Sequence, residues 1–464
     1  MSDKPQRQRN MIPTKHQTNR KHSLIFFISL LIFTLIHIFL ILHNLSKSII
    51  YSTSSLDEED LLYVPVEHVH RNKTETKKTS NKFEEYHKAT IAYVISVTSC
   101  KSENYDQKFI DGAAVLKHSI HLAHNQSKYQ YQTIAIIHPQ ALNCSQNFTK
   151  LGYKVLIRET PINVSQIQGQ FLRERIVKTG CCQEKELIKL WAYTLVEYPV
   201  VVHLDIDTLL LQPLDELFDA MIDGPTPNSK IAIMQHPNKT KAKLPRKINV
   251  FFTRDYNIAI PGKEHVGFQG GFFIIRPSQK AFNQYINLLL EGNFQPYLGW
   301  EGVYGGYYGA MQIQGIMSYF YDHFHPTTAV ELNRCYYNNM VDNPRSIIGE
   351  HKGKCRVGGG SVCEDCRVKK MSEIKLVHFT ECKKPWDCGV EDGSVVRGGT
   401  EMGLCNEFYK RWFWVRRELE KSWNYAVYQE NHGNVSRSHW IYHNYFGYCT
   451  MQGSKGYKEL KIPD

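Results

Sequence analysis

Apolar positions change period along this chain, and each change predicts an element. Continuous β-branched and aromatic runs at residues 90–97, 133–137 and 153–157 read as strands buried on both faces, as in a parallel sheet. Between the first two, Ile110, Ala113, Ala114 and Leu116 recur at helical intervals and predict a helix over 109–122. A second helix is predicted where Leu187, Leu190, Trp191, Thr194, Leu195 and Tyr198 follow the i, i+3, i+4, i+7, i+8, i+11 stripe. Pro199 ends it and releases the chain into the apolar run 200–211, which predicts one buried strand. Residues 231–234 and 270–275 predict two further strands, and Ser278 predicts the cap of a helix through Leu290. Strands alternating with helices imply βαβ units about a mostly parallel sheet, so the fold class is α/β.

Two carboxylates, Asp205 and Asp207, interrupt the run 200–211. Residues two apart on a strand share a face, so the pair would lie side by side and repel. No Lys or Arg occurs between Lys189 and Lys230 to neutralise it. A divalent Mg²⁺ or Mn²⁺, which favours hard oxygen ligands, would relieve the desolvation. The plainer alternative, two Asp residues ending a strand and starting a turn, fits any isolated Asp-x-Asp. In open α/β sheets, however, ligands bind beyond the carboxyl ends of strands, where this pair falls. Gly270 and Gly271 would admit a ligand close to the backbone, although a bulge would use them equally. The Gly- and Tyr-rich stretch 299–309 predicts a mobile loop near a pocket, or else an exposed connection.

Composition allows a large core in 464 residues with 42% hydrophobic content, as one large or two modest domains. The net charge of +11 does not imply nucleic acid, because Lys4, Arg7, Arg9, Lys15, Arg20 and Lys21 gather in one tail. An apolar segment follows at 24–42, broken only by Ser29, Thr34 and His37; it is long enough to cross a bilayer, with the basic flank cytosolic. It lacks the small-residue cleavage site of a signal peptide. Everything beyond would be luminal or extracellular. Sequons at Asn72, Asn125, Asn143, Asn147, Asn163, Asn238 and Asn434, with one at Asn44 close to the membrane, agree with that. So do twelve Cys, of which Cys335, Cys355, Cys363, Cys366, Cys382, Cys388, Cys405 and Cys449 crowd the last third. Cys363-Glu364-Asp365-Cys366 could seed a zinc site, but no second pair has matching spacing, so disulfides of undetermined pairing are expected. The boundaries are a cytosolic tail at 1–23, an anchor at 24–45, a polar stem at 46–88, a catalytic domain at 89–390 and a Cys- and aromatic-rich extension at 391–464.

Four blocks, taken in order, resemble the glycogenin-like family of retaining glycosyltransferases. They are Glu186-Leu187-Ile188-Lys189-Leu190-Trp191 leading to His203-Leu204-Asp205-Ile206-Asp207-Thr208-Leu209 and Asp215-Glu216-Leu217-Phe218; the stretch Gly267 to Ser278; Gln314-Gly315; and Val377-His378-Phe379-Thr380 with Lys384-Pro385-Trp386. The resemblance implies a GT-A nucleotide-sugar fold in a Golgi type II membrane protein. It implies that Asp205, Asp207 and His378 ligate Mn²⁺, which bridges the diphosphate of a UDP-sugar, and that Lys189, Gly271 and Lys384 line the donor site. Gln314 and Lys384 would then be the catalytic groups, and a glycan or glycoprotein the acceptor. The chain departs from the family in two places. Gln269-Gly270-Gly271 replaces Asn-Ser-Gly, and Ile313 stands where Asp is common before Gln314. Glu301 is an alternative sugar-facing carboxylate. A catalytically silent lectin-like or scaffold protein on the same fold is the rival reading, made by those departures. A metal-dependent phosphohydrolase would need further acidic ligands near the Asp pair, and the sequence supplies none.

Overall fold

The computed structural model describes residues 89–100, 103–234, 244–259, 265–346, 349–358, 363–388, 400–425, 445–450 and 452–463. The expected tail, anchor and stem lie outside the described residues, as do Asn44, Asn72, Asn238 and Asn434. Among the described residues, no helix is long and apolar enough to cross a membrane.

The strands are β1 (Thr90–Val97), β2 (Gln130–Ile137), β3 (Lys154–Ile157), β4 (Val201–Leu204), β5 (Thr208–Leu210), β6 (Val250–Arg254), β7 (Phe268–Ile275), β8 (Phe294–Gln295), β9 (Gly299–Trp300), β10 (Ala329–Glu331) and β11 (Leu376–His378). Seven of them form one sheet in the order β10-β6-β7-β4-β1-β2-β3. β1 runs parallel to β2 and β4, β2 to β3, and β10 to β6, while β7 is antiparallel to both neighbours. The α/β class with a mostly parallel sheet follows as expected. Both faces are covered: Ile91, Tyr93 and Ile95 of β1 enter one core cluster, and Ala92 and Val94 the other. That double burial is why the strands read as unbroken apolar runs.

On the first face lie α1 (Glu103–His124) and a C-terminal helix, Thr400–Ser422, whose Phe408, Trp412 and Phe413 join the cluster of β1 and α1. On the second lie the helical segment Gln183–Thr194, the helix Gln279–Glu291 and the helix Ile313–Tyr319. Ser278 caps Gln279–Glu291 through Ala281 N at 3.3 Å, as its position predicts, and Gly292 closes it at φ 64°.

Three expectations are corrected. The run 200–211 is not one strand: after β4 the chain turns at Asp205–Asp207, with Thr208 N and Oγ1 both donating to Asp205 O. β5 then leaves the main sheet and pairs antiparallel with β11. Residues 231–234 are helical, within Pro227–Met234, because Thr226 and Ser229 exchange hydrogen bonds that start a helix at Pro227. The stripe from Leu187 is a 3₁₀ segment, Gln183–Thr194, and ends before Tyr198. β6, whose Val250-Phe251-Phe252-Thr253 run is of the same β-branched and aromatic kind, was not predicted, and β10 is too short to give a signal.

Five disulfides join Cys100–Cys144, Cys335–Cys366, Cys355–Cys363, Cys382–Cys405 and Cys388–Cys449. Cys363 and Cys366 therefore point to different partners and form no zinc pair. Of the described sequons, Asn125, Asn143 and Asn163 are exposed and Asn147 is half-buried.

Candidate functional site

The site forms where β4 leaves the sheet. Asp205 N donates to Gly271 O at 2.8 Å, extending the β4–β7 pairing by one residue. The turn then presents Asp207, and β5 runs back against β11 with His378 paired to Thr208. That register brings a histidine from far along the chain beside Asp207: His378 Nε2 lies 3.4 Å from Asp207 Oδ1. Each of Asp205, Asp207 and His378 offers one atom to a group whose members all lie within 4.8 Å of one another.

Two carboxylates and an imidazole are a donor set that suits Mn²⁺ or Mg²⁺. His378 is buried, and its Nδ1 has no hydrogen-bond partner among the described residues. Gly271 leaves room for the cluster: a Cβ there would lie 2.5 Å from His378 Cε1 and 2.6 Å from Asp205 Oδ2. The residues thus fit the ion that the sequence implies.

Cations reach the pair after all, and this revises its description as cation-free. Lys189 Nζ donates to Asp205 Oδ1 at 2.9 Å and to Gly270 O at 3.0 Å, with Glu186 Oε1 at 3.4 Å. Lys384 Nζ donates to Asp207 Oδ2 and to Phe379 O. Counting cations along the chain misses both, because one arrives from the flanking helical segment and the other from beyond β11. Burial opposes the Asp207 charge, but His378 and Lys384 outweigh it and hold the carboxyl well below the usual range. Burial likewise opposes the Lys189 ammonium, and Asp205 with Glu186 overcomes it and keeps the lysine protonated.

Lys384 is held from three sides. Cys382 and Cys388, either side of it, are bridged to Cys405 and Cys449. Trp386 is buried against Phe109 and Trp412, at ring distances of 6.1 Å each. Gly112 of α1 makes that possible, since a Cβ there would lie 2.6 Å from the Trp386 ring.

Gln314 sits apart from the three ligands. A Cβ at Gly270 would meet Ile313 at 2.7 Å, Gln314 Cγ at 3.0 Å and Glu186 Oε1 at 3.3 Å, whereas the next residue, Gly271, faces His378. The alternation of the strand thus separates Gln314 from His378, and Lys189 bridges the two sides. The Gln314 amide donates to Tyr308 O at 3.5 Å. Glu301 accepts from Asn293 at 2.9 Å on the β8–β9 hairpin, with no hydrogen bond to the Asp pair among the described residues. His203 is a core residue, bonded to Ser96 at 3.0 Å and stacked on Phe273 at 4.8 Å; burial keeps it neutral.

Glu186 is the site residue that sequence reasoning left without a role. Its signal was present, since Glu186 and Lys189 stand at i, i+3. Asp255 has no such signal. It is buried, its carboxyl pushed up to about 6 by burial with Asp342 and Glu381 adding and His378 opposing.

The sequence matches no protein-family model and none of the curated proteins. Among solved structures it is similar to mouse xyloside xylosyltransferase 1 in its apo form, at 13% identity over 64% of this chain and 99% of that one, with a TM-score of 0.38. The galactosyltransferase LgtC with donor and acceptor sugar analogs is similar at 14% identity, over 72% and 99%, with a TM-score of 0.36. Glucosyl-3-phosphoglycerate synthase from Mycobacterium tuberculosis with Mn²⁺, UDP-glucose and phosphoglyceric acid is similar at 12% identity, over 52% and 69%, with a TM-score of 0.24.

Proposed function

We propose that this chain is a Mn²⁺-dependent retaining glycosyltransferase of GT-A fold that moves a sugar from a UDP-sugar to a glycan or glycoprotein. One observation carries the reading. Asp205, Asp207 and His378 converge at the carboxyl end of β4, with Lys384 on Asp207 and Lys189 on Asp205.

In this reading Asp205, Asp207 and His378 hold the ion. When bound, it offsets the charge gathering on the departing diphosphate. Lys384, held beside Asp207, adds a donor to the diphosphate oxygens. Lys189 has three acceptors of its own and so orients Asp205. Ile313 is fully buried and offers no nucleophile, so retention runs on the front face. The anomeric C–O bond to the phosphate breaks, the acceptor oxygen bonds to the same face, and its proton passes to the leaving phosphate oxygen. Gln314 is the polar side chain toward the reacting sugar.

The chain is further proposed to be a single-pass type II protein of the Golgi membrane, anchored by residues 24–45 with its catalytic domain, 89–390, in the lumen. The basic flank and apolar segment, the exposed sequons and the five disulfides support that placement. A membrane-anchored lectin-like or scaffold protein on the same fold is the alternative that Ile313 and Gln269 favour.

The test is UDP release from a panel of UDP-sugars with Mn²⁺, wild type against Asp207→Ala. The transferase shows release selective for one sugar and lost in the variant, typically by more than about 100-fold. A wild type that binds no UDP-sugar and releases no UDP sinks the proposal, and release without sugar selectivity points to a phosphohydrolase.

A further inference from the structure

Ten of the twelve cysteines are bridged, and the two left over are consecutive, Cys181 and Cys182. Cys181 is exposed and Cys182 half-buried, and Cys181 Sγ donates to Cys182 Sγ at 3.2 Å. They immediately precede the helical segment Gln183–Thr194 that carries Glu186 and Lys189. The Thr98 hydroxyl, just past the carboxyl end of β1, bonds Cys182, and Glu186 and Lys189 are close enough to act electrostatically on both thiols. Tyr308, 58% exposed, faces them from the loop that precedes Gln314.

The segment is bent sharply around the pair. Gly180 and Gln183, which bracket it, both take positive φ, at 76° and 58°. A Cβ on Gly180 would lie 3.0 Å from the Gln312 side chain, whose Nε2 donates to Thr179 O at 2.8 Å. Gln312, two residues before Gln314, is thus tied to the turn that leads into Cys181 and Cys182.

We propose that Cys181 and Cys182 form a vicinal dithiol that exchanges with small disulfides and closes into a Cys181–Cys182 bridge beside Glu186 and Lys189. Bringing the sulfurs from 3.2 Å to a bond of about 2.05 Å closes an eight-membered ring whose Cα atoms, about 3.8 Å apart, lie inside the usual span of a disulfide, so the bridge is strained and readily reduced. Cys182 is the attacking thiol, because the Cys181 thiol donates to its sulfur at 3.2 Å and the Thr98 hydroxyl bonds it too, both of which favour its thiolate. With glutathione disulfide, the Cys182 thiolate attacks one sulfur, the S–S bond breaks and one glutathione leaves, taking a proton. Cys181 then displaces the second glutathione from the mixed disulfide and gives up its own proton. Two protein thiols are oxidised and one disulfide is reduced to two thiols.

The effect of closure on nucleotide binding rests on the donor-site reading above; the exchange itself does not. In the test, the full-length chain is equilibrated in glutathione buffers from fully reduced to fully oxidised, then alkylated and digested. The expected result is a reversible loss of two hydrogens on the peptide holding Cys181 and Cys182. Cys181→Ser is expected to stop at a glutathione adduct on Cys182, and Cys182→Ser to form far less adduct. Binding of UDP with Mn²⁺ is expected to weaken roughly 5- to 100-fold on closure, and to be insensitive to the buffer in the double Ser variant. The proposal is overturned if both thiols stay alkylatable in every buffer, or if they pair with other cysteines instead. If the bridge forms and neither redox form binds UDP with Mn²⁺, the donor-site reading fails while the dithiol stands.

Discussion

Gly271 is placed by crowding and not by backbone conformation, since its φ is not among the positive ones. Gly271→Ala should therefore fold, with the methyl displacing His378 or Asp205. Expected is a loss of about 10- to 100-fold in Mn²⁺ affinity, the scale of a disturbed ligand-supporting shell, with an unchanged circular dichroism spectrum. Unaltered metal titration would show that the cluster has slack the geometry denies. Lys189 carries a different load. Removing it leaves Glu186 buried beside Asp205 with no cation between them. Lys189→Met should lower stability by about 3 kcal/mol, read as a shift in chemical denaturation. Adding Glu186→Gln should recover part of the loss, and strict additivity would contradict a coupled triad. That Asp205, Asp207, His378 and Lys384 come together was expected from the order of the blocks along the chain. Their pairing with Lys189 and Lys384 was not, because an ion pair depends on distance through space.

Elements bring these residues together through one short ribbon. The β5–β11 pairing has a register that sets His378 across from Thr208, and a slip of one residue would turn the imidazole to the other face. The following loop is tied by the Cys382–Cys405 and Cys388–Cys449 bridges. Replacing Cys382 and Cys405 by Ala should release Lys384 and weaken UDP binding at least about tenfold, the scale of one lost charge-assisted hydrogen bond. Mn²⁺ binding without nucleotide should change much less. Equal losses in both titrations would mean that the bridge supports the whole ribbon and not the lysine. Apolar runs announced β1, β2, β3 and β7, but no sequence period could place the break after β4, since Ile206 and Leu209 look the same in a strand or after a turn.

Across the whole molecule, the last residues close the core over α1. Asp111 accepts from Tyr457 Oη and Leu460 N, each at 2.8 Å, and from Gln107 at 2.8 Å. Burial outweighs the pull of Arg416 and raises the Asp111 carboxyl to about 6. A raised carboxyl binds its proton more tightly when folded. Its contribution to stability is full below the unfolded value near 3.8 and is lost as pH climbs through about 6. Asp111→Asn should remove that dependence, so that wild type loses about 3 kcal/mol relative to the variant between pH 4 and pH 7. Parallel stability curves for the two proteins across that range would refute the assignment.

Sequence alone determined the α/β class, the double burial of the sheet, the chain order of the ligand residues and the abundance of cysteines. Each is a property of periodicity, residue type or order, which local sterics and hydrophobic burial express directly. Tertiary structure decided the rest: which cysteines pair, that two lysines neutralise the Asp pair, that Gly271 faces His378 while Gly270 faces Gln314, and that Cys181 and Cys182 lie side by side near Glu186 and Lys189. Those depend on strand register and on contacts between residues distant in the chain, and no local pattern encodes a distance between such residues.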